Sequence, residues 1–465
     1  MEQRVSETAV GTVVSRLAER YGERVSVNAS IRDQHGHGEG YMQSFPPDVV
    51  VWPLDTREVS AIAALCNEHG VPLVAFGTGS SLEGHLAAVR GGVCVDLSRM
   101  DQVLALHAED ADCVVQPGLT RKRLNAYLRD TGLFFPTDPG ADASIGGMIS
   151  TRASGTTTIQ YGTIADNVLA LEVVLADGRV IRCGTRTRKS SAGYDLVHVF
   201  TGAEGTLGII TEATIRLRGR ADKVGSGVCA FPELGGAVES VIELIQLGAP
   251  LARIEFLDEV QVAACNRYSK LTLPEKPTLF IEFNGSERGV TEQFEHASEV
   301  VRSHAGTAIE WAFDDARREA LWEARHAAYF AARALKPEYD CFIGDVCVPI
   351  SELVAAVSAA RRDIDAAGLL ATILGHVGDG NFHVLFLHDP HDAAQTAAVH
   401  RVNDAMLTRA LKVGGTCTGE HGVGLVRRAK LREQFGDDTL DLMRRLKQAW
   451  DPNDILNPGK IFAPI

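Results

Sequence analysis

Short apolar runs and amphipathic stretches alternate along the chain, and their spacing predicts the elements. Val49–Trp52 reads as a short apolar strand. Behind it, Asp55 and Glu58 form a capping-box pattern ahead of Val59, Ile62, Ala63 and Leu65, which recur at helical spacing. Gly70 and Pro72 close that helix. Pro72–Phe76 is a second strand and runs straight into Gly77-Thr-Gly-Ser-Ser81. More strands are expected at Val93–Leu97, Cys113–Gln116 and Leu169–Leu175, the last turning back through Asp177-Gly178. Thr206–Leu217 predicts another strand pair. After Arg220 the character changes, as helical stretches (Gly236–Leu247, Thr291–His304, Asp315–Leu335, Ile350–Ala367) alternate with strands such as Thr278–Glu282. The division expected is an N-terminal helix and lead-in over 1–45, a mixed α+β domain over 46–220, a second α/β domain over 221–420, and a helix and tail over 421–465 folding back onto the first.

Composition narrows the classes. The 465 residues are 45% hydrophobic and 23% charged, an ordinary globular mixture. No apolar run approaches the roughly 20 residues that a membrane-crossing helix needs. A net charge of −14 argues against nucleic acid as a partner. The nine cysteines are scattered and never spaced Cys-x-x-Cys, which suits reduced thiols and argues against a cysteine-held metal cluster. The N-terminal stretch reads as an amphipathic helix carrying Glu2, Glu7, Glu19 and Glu23 without an apolar leader core, so a cytoplasmic location is expected.

Two glycine-rich segments carry the first chemical signal. Gly77-Thr-Gly-Ser-Ser81 follows a strand, where backbone amides can cradle a phosphate. It is neither a Walker loop nor a Rossmann fingerprint, since no Gly-Lys-Ser/Thr follows and Leu82 replaces the third glycine. The second segment, Pro136 to Ser150 with Ala153-Ser-Gly155, is dense in Gly, Ser and Asp. Ordering it is costly in backbone entropy unless a ligand or close contact requires it.

With Leu171–Gly178 and Gly202–Ile210, these segments resemble the FAD domain of the vanillyl-alcohol-oxidase type. The C-terminal half is similar to one branch of that group, the cytochrome-using D-lactate dehydrogenases with their glycolate oxidase and D-2-hydroxyglutarate dehydrogenase relatives. The likeness covers roughly residues 45 to 465. It implies a two-subdomain FAD-binding domain plus an α/β cap domain with an antiparallel sheet and a C-terminal helical segment. It also implies that Gly77, Thr78, Gly79, Ser80 and Ser81 hold the FAD pyrophosphate. Thr137, Asp142, Ser144, Gly147, Ser154 and Ile210 would line the cofactor, and Asn457 would approach its ring. His85 lies outside the phosphate turn, so non-covalent FAD is expected, with Glu83 and His85 structural.

The densest chemistry lies in Thr372–Phe386. Asp379-Gly380 is a strong two-residue hairpin signal. If those two residues make the turn, His376 faces His383 with Cβ atoms about 5 Å apart, and Asn381 shares their face. Two imidazoles so placed suit one cation, and Gly415–Gly422 offers Glu420 as a third ligand, leaving positions open for substrate. In the relatives the matching His, His and Glu hold zinc or manganese, so one divalent metal of either kind is implied.

His421, next to Glu420, suits a general base because an imidazole titrates near working pH. Arg325 matches the family arginine that receives a substrate carboxylate; without the likeness it reads as a helix-surface arginine paired with Glu323 or another neighbour. Asn381 completes the candidate catalytic set. The reaction implied is oxidation of a D-2-hydroxy acid, D-lactate first, with glycolate or D-2-hydroxyglutarate as alternatives. Electrons would pass to cytochrome c, a quinone or an electron-transferring flavoprotein, and a homodimer is possible. A rival of another class is a non-redox flavin transferase of the alkyl-dihydroxyacetone-phosphate synthase type, and a third is a non-catalytic FAD-binding subunit.

Overall fold

A computed structural model describes residues 5–41 and 43–462. Residues 1–4, Glu2 of the expected helix among them, lie outside the described residues. The chain divides into two compact units. One comprises Met1–Ser154, Gly162–Arg220 and Glu420–Ile465, and the other Gly155–Tyr161 and Ala221–Gly419.

The first unit is built on two sheets. One has four strands in the spatial order Val25–Ser26, Val49–Val51, Val93–Asp96, Leu73–Phe76; its first pair is antiparallel and the other two are parallel. Helix Thr56–His69 connects two of them, starting where the Asp55 side chain accepts from the Glu58 amide and stopping at Gly70 in the left-handed conformation. Its Val59, Ile62 and Ala63 join Val49, Val51, Leu73, Val93 and Val95 in one core. The other sheet has five antiparallel strands in the order Val103–His107, Asp112–Val115, Ile209–Arg216, Val168–Val174, Val180–Gly184. The hairpin between the last two turns at Asp177-Gly178, where the Gly178 amide bonds Leu175 O at 3.0 Å. The strand pair expected over Thr206–Leu217 is instead one long strand. Gly202, Glu204 and Gly205 all have positive φ, so the chain before Ile209 is a series of turns. The C-terminal tail returns to the four-stranded sheet, with Leu456 bridging beside Leu73.

The second unit holds a seven-stranded, wholly antiparallel sheet. Its order is Glu310–Ala312, Lys223–Ala230, Thr278–Gly285, Leu251–Leu257, Leu370–Gly375, Asn381–His388, Asp340–Cys347. Side chains alternate across a sheet, and here both faces are covered. One face, with Phe256, Ile281 and Phe382, packs against helices Leu234–Gln246, Glu287–Ser303, Leu353–Ala366 and Ala393–Lys412. The other, with Leu257, Phe280 and Leu385, packs against Glu259–Ser269, Asp315–His326 and Ala328–Arg333. The helix expected over Asp315–Leu335 is broken at Ala327, whose ψ of 0° leaves the helical region.

Asp258 shows what burial costs in this unit. Its carboxylate accepts from the Gln261 amide at 2.8 Å and caps helix Glu259–Ser269, yet the residue is 0% exposed. Burial pushes its carboxyl up to about 7; the Gln261 amide opposes this, Glu259 adds to it, and Arg361 opposes it. The folded state therefore holds a proton that the unfolded chain has released, and stability falls as pH rises from the ordinary carboxylate range through 7. The slope contributed by one such group is at most ~1.4 kcal/mol per pH unit. Asp258→Asn keeps a capping oxygen and removes the titration. Thermal melts from pH 5 to 8 should show a flatter profile for the variant, and parallel profiles would contradict the assignment.

Candidate functional site

In the first unit, strand Leu73–Phe76 delivers the chain into the Gly77–Ser81 turn, with Gly79 at φ +79°. A Cβ on Gly77 would lie 2.3 Å from Ser144 Oγ, so only glycine fits against that side chain. Ser144 caps helix Ile145–Thr151 by accepting from the Gly147 amide. Thr78 Oγ1 and Ser80 Oγ lie 3.1 Å apart. Ser81 Oγ and Thr137 Oγ1 are buried and have no hydrogen-bond partner among the described residues. Buried hydroxyls are normally satisfied. Two of them orphaned, Ser81 hard against Gly38, fit a phosphate-bearing cofactor. The sequence reading missed one contributor: Gly38 abuts Ser81 so closely that a Cβ would fall 2.1 Å from the Ser81 carbonyl oxygen, and Gly40 meets Leu82 likewise. The alternating glycines of His35-Gly-His-Gly-Glu-Gly40 were the available signal.

The other proposed lining residues are placed differently. Asp142 is partly exposed and accepts from the Lys122 amide at 3.1 Å. Ile210 pairs with Val173, and its side chain packs in the core of the five-stranded sheet. Asn457 donates to His85 O at 3.1 Å and Glu204 O at 2.7 Å and accepts from Lys460 Nζ, so its amide ties the tail to this unit.

The Glu420-His421 segment also belongs to the first unit. Ser154 Oγ donates to Glu420 Oε2. His421 is nearly buried, with Nδ1 3.8 Å from Glu83 Oε1. Burial alone would raise the Glu83 carboxyl, but the Arg427 charge and then the His421 imidazole outweigh it and hold it below its ordinary value. Beyond His421, Glu204 accepts from the Val423 amide at 2.6 Å and the Gly424 amide at 2.8 Å. Gly422 and Gly424 have positive φ. The base candidate thus sits in a turn gripped by two buried glutamates, neither of which had been assigned a site role from sequence.

In the second unit, the hairpin register differs from the expected one. His383 pairs with Leu374, not His376, because a 3-10 turn over Val377–Asp379 lengthens the connection. The rings nevertheless meet. His376 and His383 have centroids 5.4 Å apart at 83°, and a nitrogen of one comes within 4.8 Å of a nitrogen of the other. Each has a carboxylate at Nδ1: Glu255 Oε1 at 2.7 Å from His376, and Asp345 Oδ1 at 3.5 Å from His383. The 2.7 Å contact fixes the His376 ring and leaves its Nε2 available to ligate. Two imidazoles so close together fit a divalent cation.

Arg325 is buried in the last turn of helix Asp315–His326 and gives Nη2 to Glu255 Oε2 at 2.5 Å, so its partner is not Glu323. Burial alone would raise the Glu255 carboxyl, but the His376 and Arg325 charges outweigh it and hold it below its ordinary value. Asn381 donates to Asp345 Oδ1 at 2.8 Å and Val346 O at 2.9 Å, while its own Oδ1 is buried without a partner among the described residues. Asp345 also accepts from Thr418 Oγ1 and the Gly419 amide. Glu255 and Asp345 had no place in the sequence-derived site. All nine cysteines are described, and none forms a disulfide.

Comparisons with known proteins define the fold and the family. The fold is that of p-cresol methylhydroxylase with substrate bound, matched with a TM-score of 0.81 over 99% of this chain and 98% of that one, at 19% identity. A model described as FAD binding domain matches residues 47–184, and one described as FAD linked oxidases, C-terminal domain, matches 221–461. The chain is 49% identical to the probable mitochondrial D-lactate dehydrogenase of Danio rerio, covering 98% of this chain and 92% of that protein. It is 44% identical to the mitochondrial D-lactate dehydrogenase [cytochrome] of Arabidopsis thaliana, covering 90% and 74%. The chain belongs to the FAD-linked oxidase family, in the group that contains these D-lactate dehydrogenases. Both relatives are named mitochondrial, which overturns the cytoplasmic location expected from the N-terminal residues. No helix among the described residues is long and apolar enough to cross a membrane.

Proposed function

We propose that the protein oxidises D-lactate to pyruvate and passes the electrons to an external carrier, a cytochrome being favoured by the name of the Arabidopsis relative. The observation that carries the reading is the buried cluster of the second unit, where a histidine pair and an arginine are held by Glu255 and Asp345 on one sheet face. Gly77–Ser81, Thr137, Ser144 and Gly147 would hold FAD. His376, His383 and Glu420 would hold one divalent cation, zinc or manganese. Chain connectivity supports Glu420, which follows directly on Gly419, itself bonded to Asp345. Bound FAD supplies the two-electron acceptor for the hydride leaving C2, and a bound cation supplies Lewis acidity at the substrate hydroxyl.

The chain's own groups do the rest. Arg325 receives the substrate carboxylate, a task suited to a guanidinium already fixed by Glu255. His421 takes the hydroxyl proton at Nε2, since Nδ1 is turned towards Glu83. Asn381 offers its Oδ1 to a substrate or metal-bound donor.

Arg325→Lys tests the carboxylate role. Each hydrogen bond to a charged group is worth about 1.5–3 kcal/mol, so KM for D-lactate should rise roughly 10- to 100-fold with an unchanged flavin spectrum. A wild-type KM would end that role.

A further inference from the structure

Glu255 touches two of the groups assigned to chemistry, and it does so from an unlikely place. It stands in the apolar strand Leu251–Leu257 and is 1% exposed. A carboxylate so buried destabilises the fold unless charges and hydrogen bonds satisfy it. A countercharge for Arg325 alone would need one of its oxygens, and Oε2 supplies that at 2.5 Å. Oε1 instead sits 2.7 Å from His376 Nδ1. The sheet brings this about: Phe256 pairs with Gly375, which carries Glu255 alongside the residue after Gly375, His376.

From this geometry we infer that Glu255 is a positioning residue that sets the proton arrangement of His376 and the orientation of Arg325 together, an inference resting on the reading of His376 as a metal ligand. Nδ1 held as a donor to Oε1 leaves the lone pair on Nε2, the form in which an imidazole ligates. On the other oxygen, tying Nη2 fixes the guanidinium plane. Arg325 Nε is buried without a hydrogen-bond partner among the described residues, so it remains for a ligand oxygen. One carboxylate thereby links the metal-binding and carboxylate-binding halves of the site.

The test is metal affinity, read on flavin-loaded protein stripped of metal and titrated with Zn²⁺ or Mn²⁺ against a chromophoric chelator. Loss of such an outer partner typically weakens metal binding about 10- to 100-fold, and that is the change expected for Glu255→Gln. Glu255→Asp keeps the negative charge in the buried site but shortens its reach to His376 Nδ1, and should also bind at least about tenfold more weakly. It carries the test if the glutamine variant does not fold. Glu282→Gln is the control for a merely structural role. Glu282 is another buried carboxylate of the same sheet, accepting from Ser226 Oγ at 2.7 Å, and its loss should lower Tm without changing metal affinity. His376→Ala should lose binding outright. Wild-type affinity in the folded Glu255 variants, with His376→Ala defective, would overturn the role of Glu255 and leave the ligand assignment standing. Wild-type affinity in His376→Ala would overturn the ligand assignment itself.

Discussion

His421→Ala is expected to lower turnover with D-lactate by about 10²- to 10⁴-fold, the range that a positioned general base contributes, while flavin and metal content stay at wild-type levels. His421 lies in a turn whose backbone is held independently of its side chain, by Glu204 on the Val423 and Gly424 amides. Removing the imidazole therefore leaves the turn in place. Glu83 keeps Arg427 Nη2 at 3.1 Å and is not stranded as an unpaired buried charge. The proposed flavin cradle would draw on Gly77–Ser81 and Thr137, none of which contacts His421 in the hydrogen bonds and ion pairs described above. Turnover should collapse in a protein that is otherwise intact. Undiminished turnover, measured with an artificial electron acceptor, would remove His421 as the base.

Glu420→Gln is expected to strip the cation. Glutamine fills the same volume, and its carbonyl can still accept from Ser154 Oγ, so the fold is spared. What is lost is the anionic oxygen, which hard or borderline divalent cations prefer to an amide. Outer partners alone are worth 10- to 100-fold in affinity, so a direct ligand should cost at least about 100-fold. Elemental analysis should find the variant near zero metal and the wild type near one ion per chain. Full occupancy would refute Glu420 as a ligand. His421 and Glu420 then separate cleanly, one variant inactive with metal and the other inactive without it.

Helix Thr56–His69 was legible because its signals are local. Asp55 and Glu58 sit at capping distance, and Gly70 is where a left-handed stop belongs. The strands Val49–Val51, Leu73–Phe76, Val93–Asp96 and Val168–Val174 were legible too, whereas the pair expected over Thr206–Leu217 is one strand and Val103–His107 was not foreseen. The His376–His383 pair was also legible, but for a reason only half right. The expected two-residue turn at Asp379-Gly380 would have set the histidines opposite each other. The 3-10 turn at Val377–Asp379 shifts the register and brings the rings together by another route. Periodicity cannot reveal this, because turn geometry is settled by what the hairpin packs against.

Glu255 was illegible. A single glutamate in Leu-Ala-Arg-Ile-Glu-Phe-Leu reads as the solvent side of a half-buried strand, and nothing local indicates that helices cover both faces of that sheet. The grouping of Gly155–Tyr161 with the second unit was hidden for a similar reason, since it depends on contacts distant in sequence. The cytoplasmic expectation rested on the N-terminal residues alone, and the relatives' names overturn it.

Whether this protein is a flavin-dependent dehydrogenase of D-lactate is decided by anaerobic mixing of the FAD- and metal-loaded protein with D-lactate. Rapid bleaching of the oxidised flavin band is expected, with pyruvate formed one for one and no bleaching by L-lactate. A flavin that stays oxidised in D-lactate, with FAD and metal both shown to be bound, would contradict it.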